Sequence, residues 1–179
     1  MDTVELYSIA GASNKLNPYF EGVFPADMLP VPSTFPSCYI ANTEDSTSNG
    51  QHWIAFNYPD QITVEYFDSY GLTPFIFPRY FNFIKHKLVN IKNITFNEQS
   101  VQAKDSSTCG LHCLFFLIKR YCNQPFTYIM DLEYSKNKCL NDCMVLNYFM
   151  KRQEFINVKD QVPDNLVKQN CVCKSKFVY

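Results

Sequence analysis

The segment Cys109–Tyr121 constrains the fold most, because apolar residues lie on nearly every side of the helix that it is predicted to form. These residues are Leu111, Leu114, Phe115, Phe116, Leu117 and Ile118. A helix that is apolar all round is buried at the centre of a domain. Lys119 and Arg120 follow, and positive charges suit the carboxyl end of a helix. The sequence therefore predicts an ordered domain built around a central helix that begins at Cys109.

Length and composition indicate one domain over residues 1–179. Hydrophobic residues make up 46% and aromatic residues 16% of the chain, which excludes the disordered class. The longest strongly apolar run, residues 113–118, is far too short to span a membrane. The first residues lack the basic and apolar regions of a signal peptide. We therefore expect an intracellular domain that does not bind a membrane. We also expect a monomer, although no sequence feature establishes the oligomeric state.

The eight cysteines are compatible with disulfides, free thiols or a zinc site. Without a signal peptide, we expect free thiols in a reducing compartment. No C-x-x-C pair is present, and the spacings of Cys139 with Cys143 and of Cys171 with Cys173 are poor for a structural zinc site. We therefore expect no bound metal.

The net charge of −1 hides an asymmetry along the chain. Residues 1–78 carry nine acidic and one basic side chain, whereas residues 79–179 carry fifteen basic and eight acidic side chains. If the second part formed one face, that face could bind polyanions. We favour the interpretation that folding mixes the two parts, which leaves at most modest, strongly salt-dependent binding of nucleic acid.

Local patterns predict both helices and strands. Helices are predicted at residues 1–14, 78–90, 109–121 and 141–151, and strands at residues 38–41, 51–58, 63–68 and 93–96. Residues 17–36 contain five prolines and no periodicity, so they are predicted to form an ordered loop.

Two of the predicted strands, residues 51–58 and 63–68, are predicted to form a β-hairpin with Pro59-Asp60 as its turn. Asp68 ends the second strand, and His52 lies at the start of the first. In an antiparallel pair these two ends lie side by side. The sequence therefore predicts that His52 and Asp68 meet at the same end of the hairpin.

Cys109 lies where a reactive thiolate would be stabilised. Ser106, Ser107 and Thr108 offer N-capping hydroxyls directly before it. The unpaired N–H groups and the positive dipole end of a helix N-terminus both favour the thiolate, which is the nucleophilic form. Cys109 is therefore a candidate nucleophile, although a cysteine taken alone is more often a small core residue.

Three further residues complete the set that a cysteine protease requires. His52 can take and return a proton near neutral pH. Asp68 can accept a hydrogen bond from the imidazole and fix its tautomer. The amide of Gln102 can donate to a developing oxyanion together with the N–H of Cys109. The order His, Asp, Gln, Cys differs from the papain order, in which Cys comes first.

Each of these residues also has an ordinary interpretation. Asp68 precedes a turn and Gln102 lies in a polar loop where Gln99 competes with it. His112 and His86 are rival bases, but His112 lies on the helix of Cys109 itself and His86 lies between two lysines.

Two neighbours of the candidate residues also have two interpretations each. Gly110 either lets a substrate backbone pass or simply allows close packing. Trp53 either covers the imidazole of His52 or belongs to the core.

Four segments resemble the adenain family of adenovirus maturation proteases, with motifs in register over roughly residues 17–122. They are residues 99–116 (QSVQAKDSSTCGLHCLFF), 18–22 (PYFEG), 38–56, which end in HWIAF, and 67–71 (FDSYG). The resemblance implies the α+β fold of the papain-like adenain and SUMO-protease type, a mixed sheet with a central buried helix that carries the nucleophile at its N-terminus. It also implies that His52 is the base, Asp68 orients it, Gln102 lines the oxyanion hole and Cys109 attacks.

The resemblance further implies an endopeptidase that processes structural precursor proteins of a virus, at sites with small residues such as glycine. A location in the host nucleus, the cytoplasm or the virion follows from the same resemblance. The alternatives are a protease that removes SUMO or ubiquitin-like tags, and an inactive binding module that keeps the fold.

The sequence departs from the family at two points. The family's glutamate is replaced by Asp68, which is typical of SUMO proteases. No cysteine lies between Cys38 and Cys109, so the covalent peptide activator of adenovirus enzymes does not carry over. Activation by DNA stays open, and no cofactor is needed for the chemistry. We expect a source in a virus or virus-like mobile element other than adenovirus.

Overall fold

The computed structural model describes residues 1–158 and contains a mixed five-stranded sheet in the order β1-β2-β3-β4-β5. The strands are β1 (Phe20–Phe24), β2 (Ser37–Asn42), β3 (Trp53–Asp60), β4 (Thr63–Phe67) and β5 (Asn93–Phe96). The outer pairs β1/β2 and β4/β5 are parallel, and the inner pairs β2/β3 and β3/β4 are antiparallel. The predicted α+β class with a mixed sheet is confirmed.

Helices cover both faces of this sheet. They are α1 (Thr3–Ala12), α2 (Pro78–Lys87), α3 (Cys109–Tyr121), the short α4 (Phe126–Tyr128) with a π-helical turn at Ile129–Glu133, and α5 (Lys138–Lys151). Buried residues of α1, α3 and α5 share one apolar cluster with one face of the sheet. Buried residues of α2 pack with the aromatic side chains of the other face. The result is a three-layer arrangement of helices, sheet and helix.

The central helix α3 has the predicted bounds and is buried over residues 110–118. The ring of Phe116 stacks on Phe67 of β4, with centroids 4.7 Å apart and ring planes 6° from parallel. At the carboxyl end, the guanidinium of Arg120 binds both carboxylate oxygens of Glu65 at 2.6 and 2.7 Å. These contacts fix the position and direction of α3, and hence of Cys109, relative to β4.

The prediction of a loop over residues 17–36 is wrong in part, because β1 lies within it. Pro18 and Pro25 flank β1 and lie outside it, so neither removes an N–H group from its ladder. The strand forms by parallel pairing with β2, and its register shifts near Gly22, whose φ of +141° suits glycine. Pairing between segments far apart in sequence leaves no local periodicity to read.

The prediction that the turn lies at Pro59-Asp60 is also wrong, since β3 runs to Asp60 and the turn lies at residues 61–62. Proline lacks an N–H group, and Pro59 lies where the register of β3 and β4 shifts between Asn57 and Asp60. Asp60 then accepts a hydrogen bond from the N–H of Ile62 at 2.8 Å. The hairpin itself is as predicted.

The ends of the chain follow the prediction less closely. Helix α5 begins at Lys138, three residues before the predicted start, because the side chain of Asn137 caps it by accepting from the N–H of Leu140. The segment from Phe126 to Glu133 was not predicted to be helical. Residues 159–179, including Cys171 and Cys173, lie outside the described part of the chain.

Ion pairs join the acidic and basic parts of the chain. Arg79 binds Asp45 at 2.8 Å, and Arg120 binds Glu65. At least part of the basic charge is therefore paired with acidic side chains, in line with the interpretation that folding mixes the acidic and basic parts of the chain. Nucleic-acid binding stays a prediction. Within residues 1–158, no helix has the length and apolar character needed to cross a membrane.

We expect Phe116→Ala to lower the free energy of unfolding by about 3–5 kcal/mol, since it leaves a cavity between α3 and β4. The control Val4→Ala changes a side chain that is 68% exposed and should stay within about 0.5 kcal/mol of the wild type. Chemical denaturation followed by circular dichroism measures both. Equal effects of the two substitutions would contradict the central position of α3.

Candidate active site

His52 and Asp68 meet at one end of the β3/β4 hairpin, as predicted. Ala55 pairs with Phe67 across the hairpin, so the residue before β3 and the residue after β4 lie at the same end. Nε2 of His52 lies 2.9 Å from Oδ1 of Asp68. Asp68 is fully buried, and the side chain of His52 is 12% exposed. A buried carboxylate therefore holds an imidazole that still reaches the surface.

The backbone of Asp68 is fixed by Asn97, which directly follows β5. The side chain of Asn97 accepts from the N–H of Asp68 at 3.0 Å and donates to its carbonyl at 2.6 Å. The N–H of Tyr70 adds a hydrogen bond of 2.7 Å to Oδ1 of Asp68. Sequence reasoning missed Asn97, although its place after the strand beside β4 was a usable signal.

Cys109 is brought to His52 by the N-terminus of α3. Burial lowers the pKa of His52, but hydrogen bonds with Asp68 and with Cys109, and their negative charges, raise it to about 9 from 6.5. Because Nε2 faces Asp68, Nδ1 is the nitrogen left for the sulfur. The structure thus joins three of the four predicted residues in one hydrogen-bonded relay.

The N-terminus of α3 lacks the predicted hydroxyl cap. Thr108 occupies the N-cap position but makes no capping hydrogen bond. Its hydroxyl instead donates to Oδ1 of Asp142 at 3.0 Å and lies 2.7 Å from the hydroxyl of Ser106. The carboxylate of Asp142 is the stronger acceptor and draws the hydroxyl away from the helix. The first N–H groups of α3 are therefore left without a side-chain cap, next to the sulfur of Cys109.

Gln102 is buried beside this site and is held at both ends of its amide. Its Oε1 accepts from the hydroxyl of Ser69 at 2.6 Å. Its Nε2 donates to the carbonyl of Ser106 at 2.6 Å and to the hydroxyl of Tyr70 at 3.2 Å. Both amide hydrogens are thus directed at protein oxygens, and the bond to Tyr70 is the longer and weaker of the two.

Tyr70 connects Gln102 with the relay, and sequence reasoning did not assign it a role. Its ring lies against the imidazole of His52, with centroids 4.9 Å apart at an angle of 30°. Its hydroxyl accepts from Gln102 and donates to the carbonyl of Ser106. Burial and the charge of Cys109 both raise the pKa of Tyr70. The neutral phenol therefore bridges the base and the amide.

The rival histidines are placed elsewhere. His112 is fully buried, with Nε2 2.9 Å from Asp142 and Nδ1 3.2 Å from the hydroxyl of Tyr134. Burial lowers the pKa of His112 more than Asp142 raises it. His86 is exposed on α2. Neither histidine is in the relay of His52, Asp68 and Cys109.

The structure favours close packing as the role of Gly110. A Cβ on Gly110 would lie 2.8 Å from the side chain of Leu6 and 3.3 Å from that of Trp53. Trp53 itself is half-buried, and its indole N–H donates to the carbonyl of Met1 at 3.1 Å. Helix α1 and Trp53 therefore form a wall directly beside the nucleophile.

Asp142 ties α5 to the segment that carries the nucleophile. Besides Thr108 and His112, its carboxylate accepts a hydrogen bond of 3.3 Å from the N–H of Ala103. The residue after Gln102 and the residue before Cys109 are thereby held to α5. Among residues 1–158, no group of three or more metal-ligating side chains is placed to hold a metal ion.

Comparison with known proteins gives one family. The model of the adenovirus endoprotease family matches residues 20–161. The protease of porcine adenovirus A serotype 3 is 32% identical over 133 residues, which are 65% of each chain. The protease of human adenovirus B serotype 3 is 31% identical over 117 residues, covering 56% of this chain and 53% of the relative. The matched part thus spans less than two thirds of these relatives.

Among solved structures, the ASFV pS273R protease is similar, with 19% identity and a TM-score of 0.43. This likeness covers 60% of the chain and 43% of the ASFV protein.

We expect NMR of labelled imidazoles to show His52 titrating near pH 9 and His112 below its ordinary pKa. A folded-state pKa above the unfolded value means that the proton on His52 stabilises the fold below about pH 6.5 and that this stabilisation is lost as the pH rises through about 9. Asp68→Asn removes the negative charge and should lower the pKa of His52.

A wild-type His52 that titrates near the ordinary value of 6.5, unchanged by Asp68→Asn, would contradict the relay.

Proposed function

Because the chain belongs to the adenovirus endoprotease family, we propose that it is a cysteine endopeptidase with Cys109 as nucleophile, His52 as base and acid, and Asp68 as the residue that orients His52. The observation that carries the proposal is the hydrogen-bonded relay from Asp68 through His52 to Cys109 at an uncapped helix N-terminus. Helix N–H groups and an imidazolium both stabilise a thiolate.

In the acylation step, the thiolate of Cys109 attacks the carbonyl carbon of the scissile peptide bond. The protonated His52 then gives its proton to the leaving amine as the C–N bond breaks, which leaves a thioester on Cys109. A raised pKa of about 9 keeps His52 protonated at neutral pH before this step.

In the deacylation step, the now neutral His52 takes a proton from water, and the resulting hydroxide attacks the thioester. The C–S bond breaks, the carboxylic acid leaves, and the thiolate of Cys109 with the protonated His52 is restored. Asp68 stays ionised throughout. It holds Nε2 and stabilises the imidazolium, so that Nδ1 stays directed at the sulfur.

The oxyanion formed in both steps needs donors beside Cys109. We assign this role to the N–H of Cys109 and to Nε2 of Gln102. The hydrogen bond from Nε2 to Tyr70 is the longer of its two bonds, so the oxyanion would replace it while the bond to Ser106 keeps the amide in place. Ser69 fixes the other end of the amide and prevents it from rotating.

The relatives are viral proteases, and we propose by this relation that the substrates are structural precursor proteins of a viral particle, cut at sites with small residues such as glycine. The alternative substrates are SUMO or ubiquitin-like fusions. No covalent peptide activator is proposed, since no cysteine lies between Cys38 and Cys109.

We expect the protein to cleave short glycine-containing peptides, and Cys109→Ala to lower kcat by at least about 10³-fold. Mass spectrometry of the products measures both. Cleavage of intact ubiquitin-like fusions without cleavage of short peptides would instead support a deconjugating protease.

If no peptide in the set is cleaved, the rate of thiol alkylation still tests the site. Cys109 and Cys122 lie at opposite ends of the same helix, and Cys122 is the more exposed. At slightly acidic pH we expect iodoacetamide to label Cys109 roughly tenfold or more faster than Cys122, and His52→Ala to remove the difference. Equally slow labelling of both would support an inactive binding module.

We expect Gln102→Glu to lower kcat by about 10²–10³-fold, because it removes both amide donors and adds a negative charge beside the oxyanion. Gln99→Ala is the control, because its side chain is exposed. It should change kcat less than about twofold. Steady-state kinetics on one peptide measures both variants. An unchanged kcat in Gln102→Glu would remove Gln102 from the oxyanion hole.

A further inference from the structure

A cavity of about 380 Å³ lies directly beside the base, and the chemistry proposed above does not use it. His52 and Tyr70 form one part of its lining, Leu72 and Phe77 another, and residues 43, 44 and 51 the rest. Cys109 is not among the lining residues, so a side chain held here would lie next to the imidazole and not over the sulfur. The volume is at the lower end for ligand sites, which suits one or two side chains of a peptide.

The proposed acylation step determines which part of a substrate passes this cavity. In that step the protonated His52 gives its proton to the nitrogen of the leaving amine. This nitrogen belongs to the first residue after the scissile bond, so that residue must lie within hydrogen-bond distance of the imidazole. The Cα atom of the next residue lies about 3.8 Å further along the chain. Because the imidazole is part of the cavity lining, the side chains of the first two residues after the bond can reach the cavity.

Three apolar surfaces line the cavity. Leu72 is 40% exposed, and Phe77 is half-buried, with its ring centroid 5.4 Å from that of the buried Tyr80. Tyr70 adds its ring, since its hydroxyl is already hydrogen-bonded within the protein as both donor and acceptor. Apolar surface that is left in water binds an apolar side chain favourably. The cavity therefore suits an aliphatic or aromatic side chain better than a charged one.

Backbone hydrogen bonds fix the lining of this cavity relative to the relay. The N–H of Gly71 donates to the carbonyl of Asp68 at 2.9 Å, which closes a turn directly before Leu72. On the other side, the N–H of Thr43 donates to the carbonyl of His52 at 3.0 Å. Two parts of the lining are thus tied to the two residues that form the central hydrogen bond of the site. The cavity is therefore already formed before a substrate binds, which lowers the entropy cost of binding.

We propose that this cavity binds an apolar side chain, such as that of Leu, Met or Phe, at the first or second residue after the scissile bond. Leu72, Phe77 and the ring of Tyr70 contact this side chain, which positions the leaving amine at His52. The leaving segment departs when the thioester forms, so the contact acts on acylation and not on hydrolysis of the thioester. The inference rests on the proposed proteolytic function and names a substrate class for the leaving side of the bond.

The test compares peptides that share one glycine-containing segment before the scissile bond and differ after it. The first or the second residue after the bond is Leu, Ala, Glu or Lys. All peptides form the same thioester, so any difference in kcat/KM arises on the leaving side. At one of the two positions we expect kcat/KM to be about tenfold higher for Leu than for Ala, and lowest for Glu. Lys is included because Glu44 also lines the cavity, and a preference for Lys over Leu would overturn the apolar assignment.

Substitutions of Leu72 connect the preference to the cavity. Leu72→Gln replaces the apolar surface by an amide of similar size and should remove the preference for Leu over Ala. It should leave kcat/KM for the Ala peptide within about twofold of the wild type. Leu72→Met keeps an apolar surface and should keep the preference. Leu132→Gln is the matched control, because Leu132 is 69% exposed and does not line the cavity, and it should also keep the preference.

Equal kcat/KM for Leu and Ala at both positions would overturn the inference and leave the proteolytic function standing. The same holds if Leu72→Gln and Leu132→Gln behave alike.

If the wild-type protein cleaves none of the peptides, the proteolytic function fails, and binding still decides the inference. Fluorescence anisotropy of labelled peptides then measures Kd for the Cys109→Ala protein. A Kd about tenfold lower for the Leu peptide than for the Ala peptide, equalised by Leu72→Gln, would support the cavity as a binding site. Binding without this preference, or no binding of any peptide, would overturn it.

Discussion

The hydrogen bond between His52 and the buried carboxylate of Asp68 is the interaction on which the rest of the site depends. A buried carboxylate is unfavourable unless hydrogen bonds and an opposite charge compensate it. Oδ1 of Asp68 receives hydrogen bonds from the backbone N–H of Tyr70 and from the imidazole, whereas Oδ2 has no partner among residues 1–158. The same contact helps to raise the pKa of His52 against the effect of burial, orients the ring and directs its free nitrogen at Cys109. The register of one hairpin therefore sets both the position and the charge of the base.

A second buried carboxylate, Asp142, positions the segment that carries the nucleophile. It accepts from Thr108, from His112 and from the backbone of Ala103, and so joins α5 to both ends of the loop between Gln102 and Cys109. By taking the hydroxyl of Thr108, it leaves the first turn of α3 open. The absence of a cap at this helix is thus a consequence of a specific contact, and it places unpaired N–H groups where negative charge develops during the proposed reaction.

Features with a local sequence signal were predicted well. The bounds of α3 follow from its apolar residues, and the meeting of His52 with Asp68 follows from the antiparallel pairing of two strands within one hairpin. Contacts between distant segments left no such signal. Strand β1 forms only by pairing with β2, Asn97 and Tyr70 acquire their roles from their neighbours in the fold, and Asp142 was an ordinary polar residue of a predicted helix. The hydroxyl cap failed for the same reason, since Asp142 lies 34 positions from Thr108.

The most direct test of the account is a crystal structure of the protein after reaction with a peptide aldehyde. The account predicts a carbon–sulfur bond at Cys109, with the new oxygen within hydrogen-bond distance of the N–H of Cys109 and of Nε2 of Gln102. It also predicts that the hydrogen bond between His52 and Asp68 is retained. An adduct on another cysteine, or an oxygen directed away from Gln102 with His52 turned from the sulfur, would contradict it.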